Sequence, residues 1–171
     1  MTERLFFAIW PGDEQRSALA RIQRELPDRH GRKTHPEDLH ITLVFLGDVG
    51  ADQRGCAEAA ADQAHGVPFE LTFDSIGCFP RARVLWCGAS ILPDPLLKLA
   101  RGLNRHLLGC GFPPERRPYA PHVTLARKAR PIEAKSLTQP IQWPVSEFVL
   151  VVAREGPAPR YQVLRRWRLA S

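Results

Sequence analysis

Apolar positions along this chain follow two patterns: short β-branched or aromatic runs, and stretches with a leucine or isoleucine every three or four residues. Arg4 to Trp10 is a run of the first kind and predicts a buried strand. Pro11-Gly12-Asp13-Glu14 then opens a helix, with its acidic residues where the positive end of the helix dipole favours them, and Leu19, Ile22 and Leu26 follow at helical spacing. A polar loop rich in His, Arg and Pro, from Pro27 to Asp38, leads into an apolar strand that starts at His40. The order then recurs. Arg83-Val84-Leu85-Trp86-Cys87 is a strand run, and Pro93-Asp94-Pro95 opens a helix with Leu96, Leu99, Leu103 and Leu107 on one stripe, ended by Gly109 or Gly111. A basic, Pro-rich loop from Phe112 to Pro121 leads into a second strand at His122. Strand, helix, basic loop and strand, twice over, predict an internal duplication.

The remaining segments add a helix over 51–64, an alternating strand Phe69-Glu70-Leu71-Thr72-Phe73, a buried strand Phe148–Val152 and a basic strand Tyr161–Leu169. Gly156-Pro157-Ala158-Pro159 is the turn between the last two, and Ile132 to Gln139 is expected to form a short helix equivalent to 51–64. No linker or low-complexity stretch divides the chain. The expectation is a single α+β domain over residues 1–171, built as two pseudo-symmetric lobes.

Composition changes this picture little. A chain of 171 residues buries roughly 70% of its unfolded surface and needs no metal or disulfide to fold. Its net charge of +6 leans towards an anionic partner. Cys56, Cys78, Cys87 and Cys110 form no CxxC pair and no zinc spacing, and are expected to be free thiols in a reducing compartment. The apolar run Leu5–Trp10 is too short for a signal core or a membrane span, so a soluble, cytoplasmic protein is expected.

The chemistry sits in a repeated tetrapeptide, His40-Ile41-Thr42-Leu43 and His122-Val123-Thr124-Leu125. Residues i and i+2 of a strand share a face, so each copy presents His and Thr to one side while burying its aliphatic pair. One such motif is an ordinary strand end. Two in matching surroundings bring two imidazoles and two hydroxyls to one cleft. Imidazoles divide general-acid and general-base work near neutral pH, and hydroxyls donate to oxygens where charge accumulates. No acidic cluster accompanies the motifs, so neither a metal nor another cofactor is expected. Such a pair suits a strained cyclic phosphodiester.

At this point the chain resembles the two-histidine (2H) phosphoesterase superfamily, and within it the RNA 2′,3′-cyclic phosphodiesterases, also called 2′-5′ RNA ligases. The likeness takes in Arg4-Leu5-Phe6-Phe7-Ala8, Leu39 to Gly47, Arg83-Val84-Leu85-Trp86, Arg117 to Arg127, and Arg160-Tyr161-Gln162-Val163-Leu164. It implies two lobes, each an antiparallel-rich sheet with helices outside, about a central cleft. It implies hydrolysis of RNA 2′,3′-cyclic phosphate ends to 2′-phosphomonoesters, with His40 protonating the leaving 3′ oxygen and His122 activating water. It further implies reversible 2′-5′ ligation of RNA ends. The expected partner is therefore RNA or oligonucleotides with cyclic phosphate ends, bound by a monomer without a membrane.

Thr42 and Thr124 are expected at the phosphate. Arg127 lies three residues past Thr124, on the opposite face by strict alternation, and reaches the phosphate only if the strand ends or bulges after Leu125; the resemblance favours that contact. Tyr119, in a Pro-bounded loop beside the second motif, is the candidate for stacking on a base. Phe7, Trp10 and Trp86 read as core, Arg81, Arg83, Arg116 and Arg117 as solvated, and His30, His35, His65 and His106 as surface residues. Two other readings compete. A non-catalytic nucleotide-binding module predicts a lost His or Thr, and all four are present. A metal-binding protein needs further ligands beside His40 and His122, and only Asp38 and His35 lie near in sequence. Small cyclic nucleotides fit the same chemistry as RNA ends.

Overall fold

A computed structural model describes residues 1–26 and 31–170. Its elements are β1 (Glu3–Ile9), α1 (Asp13–Glu25), β2 (Arg32–Lys33), β3 (Ile41–Val49), α2 (Ala51–Gln63), β4 (Phe69–Phe79), β5 (Val84–Gly88), α3 (Asp94–Leu107), β6 (His122–Arg127), β7 (Lys135–Val145), β8 (Glu147–Ala153) and β9 (Tyr161–Arg168). Short 3-10 turns at Pro36–Asp38 and Leu108–Cys110 precede the first motif and close α3, where Gly111 at φ +86° stops the helix.

The strands form one sheet in the order β7-β4-β5-β6-β3-β1-β8-β9, with β2 added on β6. Every pairing is antiparallel. The order is two-fold about its centre. β5 pairs with β6 as β1 pairs with β3, and β4 flanks β5 as β8 flanks β1. The halves are interleaved, because β4 follows β3 in sequence yet joins the second half, and β8 follows β7 yet joins the first.

The helices cross over as well. α1 follows β1 but packs on the other half, its Gln15 Nε2 donating to the Gln142 carbonyl at 3.1 Å and its Gln23 Nε2 to the Leu125 carbonyl at 2.9 Å. α3 follows β5 but packs on β3 and against α2. The expected stripe of Leu96, Leu99, Leu103 and Leu107 is buried throughout. With Leu5, Phe7, Ile9, Ile41, Leu43, Val123 and Leu125 it forms the main core on one face of the sheet. On the opposite face lies a smaller apolar cluster, Phe6, Ala8, Val149 and Val151, with Trp10, Tyr161 and Val163 packed on it.

Two expectations are corrected. The helix at 132–139 does not form: from Lys135 the segment is β7, with Ile141, Trp143 and Val145 buried and Gln142 and Pro144 exposed between them. Its prolines lack a ladder N–H, which is tolerated because β7 is a sheet edge. It covers the outer side of β4, which runs on to Phe79 rather than stopping at Phe73. Second, Cys56 and Cys110, expected as free thiols, form a disulfide with Cα atoms 5.7 Å apart. α2 packs against the 3-10 turn closing α3 and so brings together cysteines 54 positions apart. Cys78 and Cys87 are free. Among the described residues no helix is long and apolar enough to cross a membrane. Of the predicted loop 27–38, residues 27–30, including His30, lie outside the described residues.

Candidate active site

The halves meet where β3 pairs with β6, at Ile41 opposite Val123. In an antiparallel pair the residues either side of such a point face one another crosswise. His40 is thus directed towards Thr124, and Thr42 towards His122. All four are half-buried, while Ile41, Leu43, Val123 and Leu125 are buried in the core. The alternation read from the tetrapeptide holds in both copies.

Each imidazole is anchored in the same way. His40 Nδ1 is 2.7 Å from the Asp38 carbonyl oxygen, and His122 Nδ1 is 2.8 Å from the Ala120 carbonyl oxygen. A carbonyl only accepts, so Nδ1 carries the hydrogen in both rings and the neutral form leaves Nε2 as the basic atom. His40 Nε2 lies 3.0 Å from Thr42 Oγ1, close enough to accept that hydroxyl's hydrogen.

Aromatic rings enclose both histidines. Trp10 stacks on His40 with 5.4 Å between centroids and 12° between planes, Phe6 lies at 4.8 Å, and Tyr161 meets it edge-on at 5.2 Å. Phe79 meets His122 edge-on at 5.0 Å and itself packs on Trp86. Burial holds His40 down from 6.5 to about 4, against the Asp38 carbonyl and carboxylate, which raise it; His122 and Arg127 add to the lowering. Burial also lowers His122, with Arg127 acting in the same direction and the Ala120 carbonyl opposing. Both rings are neutral in the free protein near pH 7.

Asp38 is buried and its carboxylate is committed. Oδ1 and Oδ2 accept from the Arg160 N–H at 3.1 and 3.0 Å, and Oδ1 also accepts from the Tyr161 N–H at 3.1 Å. Asp38 therefore ties the β8–β9 loop to the first motif and seats Tyr161 against His40. Among the described residues no group of three His, Cys, Asp or Glu side chains is placed to hold a metal ion.

A β-bulge decides the position of Arg127. Leu85 pairs with Ala126 but Trp86 with Thr124, which leaves Leu125 as an extra residue on β6. Leu125 and Ala126 are both buried, and Arg127 returns to the face of Thr124. Arg127, Thr124 and His40 line one cavity of about 340 Å³. Tyr119 differs from its expectation: its hydroxyl donates to the Thr42 carbonyl at 2.9 Å and it packs on the main core. Burial raises its phenol. That placement is structural, joining the second-motif loop to the first-motif strand.

Phe7 is core, as expected, whereas Trp10, read as core, is part of the His40 enclosure. Trp86 packs flat over Gly77, where a Cβ would overlap its ring. Arg81 and Arg116 are exposed, Arg117 pairs with Glu115, and Arg83 donates to the Lys128 and Ala129 carbonyls. His65 is exposed and His106 half-exposed, while His35 lines the cavity and caps the 3-10 turn through Nδ1. Sequence reasoning missed Phe79 and the cavity wall, gave Tyr161 no role at the site, and weighed Asp38 only as a neighbour in the metal-binding reading. Only Asp38, two residues before His40, had a positional signal.

Comparison with known proteins agrees with this fold. Residues 11–157 match the family model described as the 2′-5′ RNA ligase superfamily. The chain is 34% identical to the RNA 2′,3′-cyclic phosphodiesterase of Escherichia coli K12, over 99% of this chain and 98% of that one. It is 32% identical to the protein of that name from Thermus thermophilus, over 97% and 90%. The crystal structure of E. coli LigT complexed with 3′-AMP superposes with a TM-score of 0.93 at 32% identity, covering 100% of both chains.

Proposed function

The chain belongs to the 2′-5′ RNA ligase superfamily, and we propose that it is an enzyme that opens 2′,3′-cyclic phosphate ends of RNA to 2′-phosphomonoesters. The observation that carries this reading is the crossed pair of His-x-Thr motifs, whose two Nε2 atoms and two hydroxyls belong to adjacent strands at the junction of the halves. A cyclic phosphate seated there has an imidazole on either side and a threonine for each non-bridging oxygen.

His40 protonates the departing 3′ oxygen and His122 takes the proton from the attacking water. Because His40 is neutral in the free protein, it must gain its proton as substrate binds. The phosphate monoanion beside it supplies the negative charge that raises its pKa. Arg127, returned to this face by the bulge, neutralises charge on the phosphoryl oxygens. One observation favours the reverse division of labour: His40 is the more strongly lowered ring, which suits a base. No step as written requires a metal.

One chain supplies both motifs, and a monomer is the working form. The cytoplasm is the expected place of action. The same site can run in reverse, joining a cyclic phosphate end to a 5′-hydroxyl in a 2′-5′ linkage. Incubation with an oligonucleotide ending in a 2′,3′-cyclic phosphate tests the central reading. The expected product is a phosphatase-sensitive 2′-phosphomonoester, identified by NMR; an unchanged oligonucleotide or a 3′-phosphate would refute it.

A further inference from the structure

The cavity lined by His40, Thr124 and Arg127 carries more positive charge than one cyclic phosphate needs. Arg32, Arg127, Lys128 and Arg160 line it, and the one carboxylate among the lining residues, Asp38, is committed to the Arg160 and Tyr161 N–H groups. Arg32 lies directly opposite Arg127 in the β2–β6 pair, so two guanidinium groups share one side of the ladder, an arrangement that costs stability unless bound anions neutralise the two charges. Six arginines outside this cavity have acidic partners: Arg4, Arg16, Arg54, Arg117, Arg165 and Arg166. Among the described residues, the guanidinium groups of Arg32 and Arg160 have none.

We propose that Arg32 and Arg160 form a second phosphate subsite, which holds the phosphate on the 5′ side of the reacting nucleotide while the motifs and Arg127 hold the cyclic phosphate. The inference rests on the cyclic phosphodiesterase reading and deepens it: the favoured substrate is an RNA end longer than one nucleotide. A nucleotide carries its two phosphates on opposite edges of one ribose, so two anion sites in one continuous cavity match a chain end. A lone cyclic nucleoside phosphate fills one of them.

The test compares adenosine 2′,3′-cyclic phosphate, its 5′-phosphorylated form, the dinucleotide ApA with a 2′,3′-cyclic end, and that dinucleotide with a neutral methylphosphonate linkage. The expected kcat/KM for the natural dinucleotide exceeds that for the unphosphorylated mononucleotide by about tenfold or more, and the methylphosphonate loses the gain. The double variant Arg32→Gln/Arg160→Gln should lose the same gain with the mononucleotide rate unchanged. Its slope of log affinity against log salt should flatten by about 0.7, because one phosphate of the single strand is no longer neutralised. A matching gain for the 5′-phosphorylated mononucleotide shows that a terminal phosphate serves as well as a diester, and no gain there confines the subsite to chain phosphates. Equal losses on all substrates in the variant, or no preference in the wild type, would overturn the proposal. If no substrate turns over, the function reading fails, and dissociation constants for ApA bearing a 2′-phosphate decide the subsite separately: about tenfold weaker binding by the variant supports it, and equal binding overturns it.

Discussion

The side-chain amide of Gln23, in α1, donates to the carbonyl of Leu125, the extra residue of the β6 bulge 102 positions away. The same Nε2 donates to the Thr34 carbonyl at 2.8 Å, and the Thr34 N–H also donates to the Leu125 carbonyl. One buried amide thus fixes the bulge, the end of strand β2, and through both the direction of Arg127. Gln23→Ala should cost about 1–3 kcal/mol of stability, because the Thr34 carbonyl loses a buried donor. It should also raise KM more than it lowers kcat, as Arg127 loses its fixed position. Chemical denaturation and steady-state kinetics read the two effects; an unchanged KM would show that the bulge holds without the amide.

Asp38 acts on His40 through charge and through the loop it anchors. Asp38→Asn keeps an acceptor for the Arg160 and Tyr161 N–H groups but removes the negative charge that raises His40. The His40 pKa, followed by NMR titration, should fall further, with the fold retained. A rise would mean that the loop had opened and hydrated the ring.

Thr42→Ala and Thr124→Ala should each lower the rate about ten- to a hundred-fold, equivalent to about 1.5–3 kcal/mol for a hydrogen bond to a charged oxygen. Both hydroxyls are half-buried on the cleft face, so the melting temperature should change little. Unchanged turnover in both variants would place the phosphate elsewhere.

Folding stability should depend on the protonation of His40. Its pKa is about 4 in the folded protein and near 6.5 when unfolded, so between those values the unfolded chain binds the extra proton. The stability contributed by the neutral ring is complete above pH 6.5, declines as pH falls and is lost by about pH 4, a change of up to about 3 kcal/mol. Urea unfolding across this range should show the slope in wild type and a shallower one in His40→Gln. Equal slopes would mean that His40 titrates normally.

The division of labour between the histidines separates with a substrate whose leaving group needs no proton. That substrate should restore activity to His40→Ala but not to His122→Ala. Rescue of His122→Ala instead would assign the acid to the second motif, the order that the stronger lowering of His40 favours in the free protein.

By itself the sequence determined the elements that repeat. The tetrapeptides, the strand–helix order before each, the α3 leucine stripe and the facing of His and Thr follow from periods of two and 3.6, which are local properties of the chain. What the tertiary structure decided is everything that depends on which strand lies beside which. The pairing of β4 with β5 and of β8 with β1 interleaves the halves. The segment 132–139 becomes an edge strand because β4 offers it a ladder, and Cys56 meets Cys110 because α2 packs beside α3. Arg127 faces the cleft because β5 pairs with β6 across a bulge, and Tyr161 reaches His40 because a buried Asp38 binds its backbone. None of these leaves a periodic trace in the sequence, since register, bulges and long-range hydrogen bonds are set by partners tens of residues away.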